Sequence, residues 1–131
     1  VALNYNTKVE YDANIYKGNF VVVSDAFEDY PVGSTVVLTQ VSAFQFSLTS
    51  PAVQNPLPFT LTVDPNTLLI SAPRQKIGDW FLWEPSYTNP SIAVSGTTSF
   101  VTPCSKLLTV FLDYRVDQGG FGPYKLVLRK P

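Results

Sequence analysis

Side chains able to do covalent or metal chemistry are scarce in this chain. Histidine is absent and Cys104 is the single cysteine. Serine and cysteine nucleophiles normally need a histidine partner, and zinc or copper sites normally use histidine or several cysteines. We therefore expect no enzyme activity, no catalytic residue, no metal and no cofactor. Cys104, which follows Pro103, is interpreted as a small buried or turn residue.

Carboxylates are the remaining reactive groups, and two sets among the ten Asp and Glu residues are candidates for metal binding or acid catalysis. Asp25, Glu28 and Asp29 follow an apolar run. Calcium could use oxygen ligands this close together, but the spacing is not that of an EF-hand, so a solvated loop is favoured. Asp113 and Asp117 share a face of a predicted strand, about 13 Å apart at the usual rise. Glycoside hydrolysis needs two acids about 5–10 Å apart across a cleft, so this pair does not predict a glycosidase.

The densest chemical feature is aromatic and lies in residues 79–87. On a single strand, Phe81 and Trp83 would share one face and Trp80 the other. Neither face is polar, so one of them could line a ligand cavity, pack under residues 1–17, or form a platform for a sugar ring or a partner protein. Coverage of both faces within the domain also remains open. We assign ligand binding to four residues of this segment: Trp80, Phe81, Trp83 and Tyr87.

Alternation of apolar and polar residues predicts the elements that position these groups. One face of a long strand over residues 106–117 carries Leu108, Val110, Leu112, Tyr114 and Val116. The turn Asp64-Pro65-Asn66-Thr67 should join strands 59–63 and 68–72. The turn Gln118-Gly119-Gly120 should join the long strand to 121–130, with glycine supplying positive φ.

Further strands near 18–24, 34–41, 79–84 and 91–95 raise the count to about eight or nine. The fold class is all-β, with at most one short helical turn at 26–30. Sequential hairpins predict a meander that closes into an eight-stranded up-and-down barrel, because closure removes exposed strand edges. A β-sandwich is the alternative. The inward side chains are bulky, which leaves a filled core without ligand open: Phe44, Phe46, Phe59, Leu61, Leu108, Leu112 and Tyr114.

Composition limits the domain organisation and the partners. Hydrophobic residues make up 45% of the 131 residues and charged residues 15%, which excludes disorder. We expect an extended lead-in segment at 1–17 and a single β-barrel domain at 18–131. The net charge is −1 without a basic stripe, so nucleic acid is not an expected partner. No apolar run reaches the roughly 20 residues of a membrane-spanning helix, and no signal peptide pattern precedes the domain.

Three segments carry a family resemblance: the C-terminal run 108–130, the run 27–34 that enters a strand, and the hairpin at 63–67. Together they resemble small secreted lipoproteins of Bacteroidetes. The resemblance implies a lipocalin-like or lipid-binding β domain, often encoded beside polysaccharide-uptake systems. It also implies a secreted, periplasmic or outer-membrane-surface location. The lipid-anchored cysteine of such proteins is not at Val1, so an anchor would have to precede the present sequence.

Two functions follow as hypotheses. The first is a non-catalytic secreted or envelope binding domain for a small apolar or amphipathic ligand. The second is an Ig-like or jelly-roll accessory module that binds carbohydrate or a partner protein through an aromatic surface. A closed cavity near Trp80 or Trp83 would favour the first, and exposed coplanar rings would favour the second.

Overall fold

The computed structural model describes residues 17–131 as an all-β domain in which no helix forms. The predicted lead-in segment at 1–17 lies outside these residues except for Lys17. No helix capable of crossing a membrane occurs in the described part of the chain. The strands are β1 (Gly18–Asp25), β2 (Thr35–Ser42), β3 (Gln45–Leu48), β4 (Phe59–Val63), β5 (Ile70–Lys76), β6 (Trp80–Phe81), β7 (Glu84–Thr88), β8 (Ser91–Val94), β9 (Phe100–Thr102), β10 (Leu107–Val116) and β11 (Gly119–Arg129).

Eight of these strands form a closed antiparallel barrel. The order is β11-β1-β2-β3-β4-β5-β8-β10, and β10 pairs back onto β11. The last strand thereby returns to the first, with Val21 opposite Arg129. The extra strand β9 pairs with the first part of β10, on the side where β8 pairs with its later part. Closure confirms the predicted lipocalin-like barrel over the sandwich, which would leave free edges.

Side-chain alternation fills the barrel as the sequence predicts. The inward face of β10 is buried at every predicted position from Leu108 to Val116. Phe44 is the exception among the predicted inward residues, because it lies in the turn between β2 and β3 and is 43% exposed. A turn residue leaves the strand alternation, so the pattern of Phe46 and Leu48 does not extend to it.

Both predicted hairpins form, but the residues with positive φ and the centre of the second turn differ from the prediction. β4 pairs with β5 through Val63 and Ile70, and the positive φ of this turn falls on Leu68. The turn between β10 and β11 is centred on 117–118, because Gly119 already pairs with Val116. Gly119 has a φ of +148°, whereas Gly120 does not need positive φ. Cys104 is exposed in the turn before β10.

The predicted strand at 79–84 is wrong. Residues 82–83 form a tight turn, and β6 and β7 pair as a separate hairpin in which Phe81 lies opposite Glu84. This hairpin pairs with the preceding loop: the N–H of Gln54 donates to the carbonyl of Trp80 at 2.9 Å. Gly78 permits the approach, since a Cβ there would lie 2.5 Å from Val53 Cγ2. The aromatic residues of this segment therefore belong to a hairpin that lies over one end of the barrel, and not to a single strand with two apolar faces.

Candidate ligand-binding site at the end of the barrel

The middle of the barrel is filled with side chains. Phe20, Phe46, Phe59 and Tyr114 are at most 2% exposed, and they come from strands on different sides of the barrel. An eight-stranded barrel has an interior only wide enough for side chains or one small ligand. In this chain the side chains occupy that space, so the candidate site is sought at the end where the β6–β7 hairpin lies.

Asp25 organises the loop that follows β1 at this end. Its Oδ1 accepts a hydrogen bond from the N–H of Phe27 at 3.0 Å. Its Oδ2 accepts bonds from the N–H groups of Asp29 at 3.0 Å and Tyr30 at 2.8 Å. The Tyr30 hydroxyl then donates to the carbonyl of Thr49 at 2.9 Å. The expected helical turn is replaced by a turn wound around one carboxylate, which fixes the backbone of Phe27 and Asp29.

Phe27 is the centre of an aromatic cluster. Its ring stacks on Tyr114 with centroids 3.8 Å apart and an interplanar angle of 9°. It meets Phe121 edge-on at 5.6 Å and Tyr124 edge-on at 4.8 Å. The register of β10 and β11 shifts here, with Tyr114 opposite Gly122 and Arg115 opposite Gly120. Phe121 is thus the additional residue of a β-bulge, a feature that commonly re-aims a side chain.

The four predicted binding residues differ in exposure and in their ring contacts, because they lie at different positions of the β6–β7 hairpin. Phe81 is fully buried and lies 4.9 Å from Trp83 between ring centroids. Trp83 is 52% exposed, and the half-buried Tyr87 meets it edge-on at 5.7 Å. Trp80 makes no ring contact with another aromatic residue of the described chain and is 37% exposed. The structure therefore brings Phe81, Trp83 and Tyr87 together, and only Trp83 among them presents a large accessible ring.

A depression of about 420 Å³ lies beside Trp83 and is called here the Asp29 pocket. Its wall combines the loop after β1, the tip of the hairpin and the start of β11. The lining residues are Ala26, Phe27, Glu28, Asp29, Trp83, Phe121 and Tyr124. Neither lysine nor arginine is among them.

Asp29 is the unusual member of this pocket. It is only 8% exposed, and within residues 17–131 its Oδ2 is a buried side-chain oxygen without a hydrogen-bond partner of good geometry. Burial raises the pKa of this carboxyl to about 7, the charge of Asp25 adds to the rise, and hydrogen bonding from Trp83 opposes it. Trp83 thus helps to hold the carboxyl, while Oδ2 has no well-aligned partner among residues 17–131, which is costly for a buried oxygen.

Two of the three acids predicted to lie in a solvated loop are buried. Asp25 and Asp29 are each 8% exposed, and only Glu28 follows the expectation. The sequence offers one signal for this difference, the flanking of the acids by Phe27 and Tyr30. In residues 17–131 no group of three or more acidic or cysteine side chains is arranged to hold a metal ion. The pocket can instead hold a polar or charged group on Asp29 and an apolar body against the rings.

Comparison with models of known protein families, with curated proteins and with solved structures found no match to this chain.

Proposed function

We propose that this chain is a non-catalytic binding domain that takes a small amphipathic ligand in the Asp29 pocket. The observation that carries the proposal is the buried and unpartnered Oδ2 of Asp29 beside an aromatic wall. Strained or unsatisfied groups are retained at functional sites, where a ligand can satisfy them. The resemblance to secreted Bacteroidetes lipoproteins supports a role in the cell envelope or outside the cell.

Ligand storage along the barrel axis is less well supported than binding at the barrel end. The middle of the barrel is occupied by its own side chains. The aromatic alternative, a platform that stacks a sugar, is favoured by one observation, the exposure of Trp83 at the hairpin tip. Both functions place the ligand against Trp83, so the first experiment addresses this ring.

The test uses three probes that share an octyl chain: octyl glucoside, octylammonium and octanoate, each below its critical micelle concentration. We expect saturable binding of at least one probe, followed by tryptophan fluorescence and two-dimensional NMR. Trp83→Ala should weaken binding by roughly tenfold or more, because an aromatic anchor of a small pocket commonly contributes at least 1.4 kcal/mol.

Trp80→Ala is the matched control, since Trp80 lies on the same hairpin but outside the pocket lining. It should keep wild-type affinity. Equal weakening in both variants, or no saturable binding of any probe to the wild-type protein, would contradict the proposal.

A further inference from the structure

We propose that the ligand of the Asp29 pocket carries a positively charged nitrogen, such as an alkylammonium group, and that Asp29 and the surrounding rings recognise this charge. The inference rests on the proposed function and adds the chemical class of the ligand head group. Three features of the pocket support it: the sign of its charge, the arrangement of its rings, and the single buried acceptor.

The described lining of the pocket contains two acids and no basic side chain. Asp29 and Glu28 line it, and Asp25 lies behind them in the same loop. Asp25 uses both of its oxygens on backbone N–H groups, whereas Oδ2 of Asp29 has no such partner in the described chain. An anionic ligand would face these carboxylates without a compensating cation in the pocket lining, so octanoate should bind weakly.

The rings beside the pocket pack against one another at steep angles and do not form one flat platform. Phe27 meets Trp83 at 66°, Phe121 at 67° and Tyr124 at 69°. Stacking of a sugar ring uses a broad exposed ring face, whereas quaternary ammonium groups are held among several ring faces set at steep angles. The geometry therefore favours a compact cation with an apolar tail over a sugar.

The protonation state of Asp29 links this recognition to pH. The titratable groups near it are Asp25 and Tyr30 of the same loop, Tyr114 of β10 and Tyr124 of β11, with Glu28 at the pocket wall. A pKa of about 7 means that the Asp29 carboxyl gains its full charge only above neutrality. Affinity for a cation should consequently rise as the pH increases through about 7.

The experiment compares octylammonium, which is charged and can donate N–H bonds, with octyl glucoside by calorimetry or NMR titration at about pH 8.5 and pH 5.5. At the higher pH, we expect the cation to bind roughly tenfold or more tightly than the neutral probe, since attraction to a carboxylate and to rings together should exceed 1.4 kcal/mol. This preference should shrink at the lower pH. Asp29→Asn should abolish the preference and its pH dependence while octyl glucoside binding changes little.

Asp113→Asn is the matched control, because Asp113 is an outer-surface carboxylate paired with Arg74 at 2.8 Å. It should leave the preference intact. Equal affinity for the neutral and cationic probes, both sensitive to Trp83→Ala, would overturn the cation inference and leave the proposed function standing. If octanoate alone binds, only the cation inference fails; if none of the three probes binds, both proposals fail.

Discussion

The middle of the barrel and its Asp29 end differ in the side chains that they bury: hydrocarbon in the middle and a carboxylate at the end. In the middle, the inward positions of β10 from Leu108 to Leu112 carry hydrocarbon side chains. At the end, a carboxylate is held in a nearly dry position, and its Oδ2 has no well-aligned partner among residues 17–131. The middle stabilises the fold through burial of apolar area, whereas the end gives up part of that stability. This difference is the reason why we propose that a ligand binds at the end rather than in the middle.

Asp25 and Asp29 sharpen the comparison within a single loop. Both are 8% exposed. Asp25 accepts three backbone hydrogen bonds and thereby holds the loop together, while Asp29 has its pKa raised to about 7. Burial of a carboxylate therefore does not by itself point to function. The informative property is a buried carboxylate oxygen, Oδ2 of Asp29, that lacks a well-aligned hydrogen-bond partner among residues 17–131.

The largest effect is expected from placing a carboxylate in the middle of the barrel. Leu112 is 1% exposed, so Leu112→Asp would bury an unpaired charge and should destabilise the fold by about 4 kcal/mol or more. Asp113→Leu changes the adjacent outward residue and removes only a partly exposed pair with Arg74, which should cost about 1 kcal/mol or less. Urea unfolding followed by circular dichroism measures both. Equal losses of stability would show that the faces of β10 are not as distinct as burial indicates.

Removal of the Asp29 carboxylate at the end of the barrel should increase the relative free energy of unfolding at high pH, whereas adding a carboxylate in the middle lowers it. The pKa of Asp29 is raised from 3.8 to about 7, so this group favours the folded state below pH 4 and that contribution is lost as the pH rises through 7. Asp29→Asn cannot take up or release this proton. Its unfolding free energy relative to wild type should therefore increase by about 2–4 kcal/mol between pH 5 and pH 8.5. Urea unfolding at both pH values tests the sign.

Asp25→Asn is the control for this prediction. The amide supplies one acceptor oxygen where the carboxylate uses two, so hydrogen bonds to the backbone of Phe27, Asp29 or Tyr30 are lost. We expect a destabilisation of about 1–3 kcal/mol at pH 8.5. Stabilisation by both substitutions would mean that the two carboxylates are equivalent.

Most of the barrel could be predicted from the sequence because its signals are local and regular. The alternation on β10 specifies the inward face, and turn residues divide the strands. Closure follows from a meander that has to remove its edges. The hairpin β6–β7 escaped prediction because its turn, Leu82-Trp83, contains neither glycine nor proline nor asparagine. Large apolar residues such as these are typical of strands, so the pattern predicts that the strand continues through the turn.

The site was less predictable because it depends on contacts between distant residues. Phe81, Trp83 and Tyr87 were identified by aromatic density alone. Phe27 and Phe121 were not assigned to the site, since a β-bulge and a loop wound around Asp25 direct them to it. The desolvation of Asp29 arises from the fold, because the residues that cover it come from separate parts of the chain. From the polarity of the neighbouring sequence alone, Asp29 is predicted to be exposed, whereas the structure buries it.

The smallest effect concerns the turn that leads Phe121 into the Asp29 end. Gly119 has a φ of +148°, a region that only glycine adopts readily, so Gly119→Val should cost about 1–3 kcal/mol. Gly120 has no positive φ, and a Cβ there would meet its nearest neighbour, Arg115 Nε, at 3.9 Å. Gly120→Val should therefore change stability by less than about 1 kcal/mol, since β-branched residues suit a strand. Thermal melts of the two single variants compare them directly, and an equal loss in both would place the strained residue of this turn elsewhere than Gly119.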